Sequence, residues 1–477
     1  MTRPSLTKNS LFNVFYQLVL VIVPLLSSMY TSRVVLPSAL GDYSVANNLV
    51  SYFTALAPLG LSAYGVREIA KASSGDLRFF NRTFSELFLI NLMSTAAFLL
   101  AYVVCVLLMF GSVVPSLYLI FGSLIVANAL NVEWFFQGIE RYDYISIRGT
   151  IVRLLCFLLT VLLVRGPHDV SIYAAITCLG TFFNYIANVL CLRGKVKFEF
   201  RNLRLGRHMK PLLVLAGTSM LFTLYTKIDV TMMGAFCSSA IVAYYVYAYN
   251  AEEIAKTLCT SLTNVYLPRL SYEFSTCKDE FSRLVRQSMV LNLYFALPMS
   301  IGVMVLAPRV VAVLFGDAFE PAGFTLRLFA LLIFAKSVGN VIYQTTIATG
   351  NERFQLIAYS VGVLINIGIN AVLIPVFAQN GAVLATIFTE VALDVVLFSA
   401  LREHFRMHIS VQYWISVLVP LGIMLALLCV CNAFIASNLL CLIVAVPFAA
   451  MLYGGFTVLL KNEVALLLLR KVRQIIK

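Results

Sequence analysis

The chain has 477 residues, 61% of them hydrophobic and only 12% charged, with a formal charge of +13 from 35 Lys+Arg against 22 Asp+Glu. Soluble domains run about 45–50% apolar and about 25% charged, so a soluble enzyme, a disordered chain and a disulfide-stapled secreted module are all excluded. The composition is that of a polytopic membrane protein, and its excess of base belongs to cytoplasmic loops rather than to a nucleic-acid site.

Apolar runs between charged breaks predict about fourteen spans of roughly 20–26 residues each. They start near Leu11, Asp42, Thr83, Leu117, Ile145, Val170, Pro211, Ala240, Arg286, Phe324, Phe354, Gly381, Tyr413 and Asn438. The first run is long and leads into further apolar sequence, so it reads as a span and not as a cleavable signal. Pro24, Pro58 and Pro298 interrupt the first, second and ninth spans, where a missing backbone donor permits a bend. The tail from Val464 reads as a basic amphipathic helix on the inner leaflet. Most of the ten cysteines lie in apolar runs and behave as small hydrophobes. His404 and His408 sit in a basic loop, so neither a disulfide nor a metal site is expected.

Alternate loops differ sharply in charge. One set holds Arg3 and Lys8, Arg67 to Arg82, Arg141, Arg193 to Lys210, Arg269 to Arg286, Arg353, Arg402 to Arg406 and the tail; the opposite set holds only Arg33, Arg165 and Arg309. The positive-inside rule places both termini in the cytoplasm. The outer loops are too short for an extracytoplasmic domain. The expected organisation is an all-α N-terminal six-helix bundle over 1–200, a second over 201–405, and two extra spans with the tail over 406–477.

The bundles read as a repeat. Gly138-Ile139-Glu140-Arg141-Tyr142 matches Gly350-Asn351-Glu352-Arg353-Phe354, 212 residues later, and Asn128 falls on Asn340. Two six-helix bundles repeated in parallel imply a transporter, with its site between them.

Several ionisable residues fall inside spans: Arg153, Lys227, Asp229, Glu252, Glu253, Lys256, Lys336, Glu390 and Asp394. Each costs about 2.5–3.5 kcal/mol at a lipid-facing helix centre, so they pair or face a wet cavity. Glu252 and Lys256 are four apart and share a helix face. Glu390 and Asp394 share one with like charge, a pattern that invites a shared proton or a cation, with a bridge to Lys336 or another basic group as the rival reading. Lys336 has no acidic neighbour on its own helix face and is the leading candidate for an anionic substrate. Arg33 and Lys227 close their spans toward the outer side, as a basic rim or as snorkelling ends. No Walker A, GxSxG or HExxH pattern occurs, which disfavours ATP-driven transport and hydrolytic chemistry.

Two motifs are more specific. Residues 58–70 read PLGLSAYGVREIA and residues 134–140 read WFFQGIE. Together with the N-terminal stretch they resemble bacterial O-antigen-type polysaccharide flippases of the multidrug/oligosaccharidyl-lipid/polysaccharide exporter superfamily. That resemblance implies an inner-membrane protein, not an enzyme, that moves an undecaprenyl-diphosphate-linked oligosaccharide to the periplasmic leaflet by alternating access through a cationic central cavity. It implies Arg33, Arg153, Lys227, Lys256 and Lys336 as cavity bases for the diphosphate. Glu390, Asp394, Asp229 and Glu252 are the candidates for H⁺ or Na⁺ coupling, with no other cofactor. Polymerase and chain-length regulator are the expected protein partners. The rival readings are an ion-coupled drug or metabolite antiporter of the same superfamily, and a membrane enzyme of glycan assembly.

Overall fold

The computed structural model describes residues 6–73, 76–404 and 409–476. Arg3, Arg406 and Lys477 of the inner charge pattern, and His408 of the histidine pair, lie outside them. The chain divides into two compact units, Met1–Gly234 with Ser238–Ala243, and Ala235–Cys237 with Tyr244–Lys477. The first holds α1 (Leu6–Val34), α2 (Pro37–Leu56), α3 (Leu61–Ala72), α4 (Leu77–Phe110), α5 (Ser116–Asn128), α6 (Glu133–Gly138), α7 (Tyr142–Leu163), α8 (Val170–Leu190) and α9 (Gly206–Phe236). The second holds most of α10 (Ser239–Asn264), then α11 (Leu267–Thr276), α12 (Lys278–Phe315), α13 (Ala322–Ala348), α14 (Glu352–Ala400), α15 (Val411–Phe434), α16 (Asn438–Leu459) and α17 (Glu463–Ile476).

Twelve helices among the described residues are long and apolar enough to cross a bilayer. Two facts raise the number of crossings to the fourteen expected. First, α10 is long enough, but any 18-residue stretch of it contains Glu252, Glu253 and Lys256, so it is a span with a polar face. Second, α14 is two spans. As one straight rod its 49 residues would run about 74 Å, more than twice a hydrocarbon core of about 30 Å. The chain breaks at Ala378 (φ 51°, ψ −130°), three residues after Pro375. A Cβ on Gly381 would sit 2.2 Å from the Leu373 carbonyl oxygen, eight residues back and about 12 Å away in a continuous helix. The chain therefore reverses there, where the sequence separates the spans starting at Phe354 and Gly381.

Span lengths differ from expectation. With 34 residues in α4 and 38 in α12, their charged first turns run on beyond the apolar segment. The second span is also not one bent helix at Pro58: α2 ends, Leu59 and Gly60 take positive φ, and α3 starts afresh. Pro24 and Pro298 do lie inside helices.

The order of elements repeats: α1–α8 correspond to α9–α14, with α5 and α6 answering to α13, and α7 and α8 to the two halves of α14. The register of the repeat is not the one read from the G-x-E-R match. At Glu140 (φ 59°) the amides of 140 and 141 bond the carbonyls of Gln137 and Phe136. At Gly350 (φ 70°) those of 350 and 351 bond Ile347 and Thr346. These are the same left-handed C-cap, 210 residues apart rather than 212. The matched glycines consequently differ in role. Gly350 is the cap, while Gly138 lies inside α6, where a Cβ would come 2.8 Å from Ile69 Cβ. Gly350→Ala, with open space around it, should lose only the backbone cost of about 1–2 kcal/mol. Gly138→Ala should overpack α3 and lose about 1–3 kcal/mol. Thermal melting of the purified protein checks both.

The 193–205 connection is a strap held along α4. Three backbone amides of 197, 199 and 204 bond the side chains of Asn81, Ser85 and Glu86 on α4, at 3.0, 2.8 and 2.6 Å. Phe198 packs on Phe84 and Phe88. Glu86, fully buried, also meets Arg82 Nε at 3.1 Å, Arg207 Nη2 at 2.5 Å and His208 Nε2 at 3.0 Å. Tyr64 of α3 closes the group through His208 Nδ1 at 2.8 Å. The last two spans are fastened to α12: Tyr413 Oη donates to the Val290 carbonyl at 2.8 Å and Tyr453 Oη to that of Tyr294 at 3.0 Å. The amphipathic tail helix α17 follows them.

Candidate functional site

Ionisable groups gather on α10, α13 and α14 of the second unit. On α10, Tyr249, Glu252, Lys256, Cys259 and Thr263 recur at intervals of three and four and so share one face. On α13, Lys336, Asn340 and Gln344 do the same. The two stripes meet. Lys336 Nζ lies 3.5 Å from Glu252 Oε2 and 5.1 Å from the centroid of the Tyr249 ring. Asn340 Nδ2 donates to Thr263 Oγ1 at 3.0 Å, and Gln344 Nε2 to Asn264 Oδ1 at 2.8 Å. Glu252 is fully buried and the Lys336 side chain is 14% exposed.

The expected pairing of Glu252 with Lys256 does not form. Lys256 Nζ sits 2.5 Å from Glu253 Oε2, which shares its helix face at i−3 as well as Glu252 does at i−4. Glu252 turns instead to α13. Lys336, without an acid on its own helix, takes one from another, a contact that intrahelical spacing does not reveal. The Glu252 carboxylate is under-used: Oε1 is buried and has no hydrogen-bond partner among the described residues.

Glu390 and Asp394 stand half-buried on the second half of α14. Asp394 lies against α13, since a Cβ on Gly339 would come 2.5 Å from its Oδ1. Gly339 is three residues from Lys336, and Glu390 is within electrostatic reach of that amine. Lys336, Lys256, Glu252, Glu390 and Asp394 therefore belong to one polar neighbourhood.

The remaining candidates lie in the first unit. Arg33 is exposed in the last turn of α1, with Nη1 bonded to its own Met29 carbonyl at 2.6 Å. Arg153 is half-buried on α7 and has no ion pair among the described residues. Lys227 is half-buried on α9, and its carbonyl accepts from Asn48 Nδ2 at 3.2 Å. Asp229 is buried on the same helix, near Tyr52. Asn48 and Tyr52 both bond Thr231, at 2.7 and 2.6 Å, and so knit α2 to α9.

Spacing did not single out two further groups. One is the Glu86 hub, whose only sequence signal is a lone acid near the start of an apolar run. The other is Arg148 of α7, which donates to Glu133 Oε2 at 3.2 Å and Asn184 Oδ1 at 3.1 Å. The two motifs of the sequence pack on each other beside it. Gly65 of α3 leaves room for the Trp134 ring, where a Cβ would be 2.9 Å from Cδ2, while Gly138 of α6 does the same for Ile69.

The family model described as polysaccharide biosynthesis protein matches residues 6–273. A putative O-antigen transporter of Shigella dysenteriae is 24% identical over 398 residues, covering 80% of this chain and 96% of its own. A putative O-antigen transporter of Escherichia coli K12 is 22% identical over 424 residues, covering 84% and 97%. Among solved structures, the lipid II flippase MurJ in an inward-closed conformation superposes with a TM-score of 0.75 at 14% identity, over 96% of this chain and 99% of that one. That last likeness establishes the fold.

Proposed function

This chain belongs to the polysaccharide biosynthesis protein family, and from that premise we propose that it flips a polyprenyl-diphosphate-linked oligosaccharide from the cytoplasmic to the periplasmic leaflet of a bacterial inner membrane, both termini facing the cytoplasm. It is a multi-pass membrane protein, and its full-length relatives are named as O-antigen transporters. The alternation of basic and nearly base-free loops supports the orientation.

The observation that carries the mechanism is the Glu252–Lys336 pair at 3.5 Å, with a second carboxylate oxygen unpartnered. A diphosphate crossing about 30 Å of hydrocarbon needs cations along its route. Lys336 and Lys256 are such cations, each held by a carboxylate. A proton or Na⁺ arriving at Glu252, or at Glu390 and Asp394 beside it, neutralises the holder and releases the amine to phosphate oxygens. Arg33, Arg153 and Lys227 are further bases for the diphosphate on the first unit, and Asp229 is a buried carboxylate there. Coupling by ion exchange of this kind fits an alternating-access cycle.

The test is a sidedness assay in cells depleted of the protein. Lipid-linked oligosaccharide should accumulate on the cytoplasmic leaflet and return to export on re-expression. Normal export in depleted cells lacking any redundant flippase would overturn the reading in favour of a small-molecule antiporter.

A further inference from the structure

The first unit contains a cavity of about 240 Å³ whose walls include Ser62, Asn91, Glu133, Trp134, Gln137 and Tyr185. It is walled by α3, α4, α6 and α8, and α6 leads into the Arg141 turn that the charge pattern assigns to the cytoplasm. Ordinary pockets for drug-sized ligands measure roughly 300–1,000 Å³, so this one has room for a single ring rather than an oligosaccharide. Asn91, Glu133 and Trp134 already have partners in the protein, but part of the wall does not. The side chains of Ser62, Gln137 and Tyr185 have no hydrogen-bond partner among the described residues. Behind Glu133, Arg148 is nine-tenths buried and its Nη1 has no hydrogen-bond partner among the described residues. Ser62 is exposed and Gln137 and Tyr185 are half-buried, so all three are open to a polar guest entering the cavity, and the buried Arg148 nitrogen behind them is of the kind native interiors rarely leave unmatched.

We infer that this pocket is a carbohydrate subsite that takes one neutral pyranose of the oligosaccharide head group on the cytoplasmic side; the inference rests on the flippase reading for the source of the sugar. Hydroxyls both donate and accept, matching a wall that mixes a carboxylate, primary amides, a serine and a tyrosine. Trp134 and Tyr185 supply aromatic wall against the apolar face of a ring. Arg148 holds Glu133 in place from behind. A phosphate is disfavoured, because the Glu133 carboxylate at the wall repels it.

The chain has two tryptophans, Trp134 and Trp414, so Trp414→Phe leaves a single emitter in the pocket wall. The purified Trp414→Phe protein is titrated with free glucose, galactose, N-acetylglucosamine and rhamnose, and with inorganic pyrophosphate. At least one sugar should change Trp134 emission saturably, pyrophosphate should not, and Gln137→Ala and Ser62→Ala should each weaken the response at least tenfold. Ser62 is exposed at the surface of α3, so its variant keeps the test valid if Gln137→Ala fails to fold. No saturable change with any of the four sugars, an unchanged response in both variants, or a response to pyrophosphate alone would overturn the subsite. Silent Trp134 with substrate still trapped in depleted cells removes the subsite and leaves the flippase. Sugar binding with normal export in those cells removes the flippase and leaves the binding site.

Discussion

Lys336→Met is expected to lower export by at least tenfold and to destabilise the protein by about 3–5 kcal/mol, the usual cost of removing one partner of a buried ion pair. The cost falls on Glu252, which is fully buried and whose one contact to a cation across helices is with Lys336 Nζ at 3.5 Å. Without the amine, neither carboxylate oxygen has a hydrogen-bond partner among the described residues. The double variant Lys336→Met/Glu252→Gln separates structure from transport. Replacing both members of a buried pair with neutral groups of similar volume is often close to neutral in stability, so melting of the purified protein should return toward the parent. On the proposed mechanism export should not return, because the diphosphate would meet no cation at this position and the coupling ion no carboxylate. Full export by the double variant would show the pair to be structural and would move the site elsewhere, to Lys256 or to the first-unit bases. The readout is the leaflet distribution of the lipid-linked oligosaccharide, measured beside the melting temperature of the same variants.

Glu86→Ala should cost a comparable 3–5 kcal/mol by a different route. Its two oxygens serve the Arg204 amide, Arg82, Arg207 and His208, so one truncation removes the acceptor of four donors; Arg82 and Arg207, 24% and 35% exposed, can turn to water, and the buried His208 cannot. Because the 193–205 strap is tied down at 81, 85 and 86, releasing the last of these should loosen it. Arg193, Lys195, Lys197, Arg201 and Arg204 make the strap a run of trypsin sites. Limited digestion should cut Glu86→Ala there, at protease levels that leave the parent chain whole. Glu86→Gln should fall between them, since one amide oxygen replaces two charged acceptors. Equal resistance of Glu86→Ala and the parent would mean that the aromatic packing of Phe198 alone holds the strap.

Much of the architecture is legible in the sequence because the bilayer makes it so. A span needs about 20 apolar residues, and loop charge sorts by side; both are properties of local composition. Hence the spans at Phe354 and Gly381 were separable by reading alone, although they are helical on both sides of a single turn at Ala378. The charges on α10, α13 and α14 were equally visible, because any ionised residue within an apolar run stands out. Which charge meets which was not visible. Spacing compares residues along one helix, and it favoured Glu252 with Lys256; packing of α10 on α13 gave Glu252 to Lys336 and left Lys256 to Glu253.

The same boundary separates the motifs from their meaning. YGVREIA and WFFQGIE mark the family in one dimension, but only three dimensions lay Trp134 over Gly65 and Ile69 against Gly138, beside the pocket that Glu133, Gln137 and Tyr185 line. The repeat was read two residues out of register, because identity followed the glycines and the chain followed its C-caps. Composition and periodicity by themselves determined the membrane class, the number of crossings and the charges set within α10, α13 and α14, since burial of apolar length is a sum over neighbours in sequence. The strap, the Glu86 hub, the Glu252–Lys336 pair and the sugar-sized pocket were decided by tertiary structure, since an interhelical contact depends on the rotation and depth of two helices, and neither is encoded in the spacing of one.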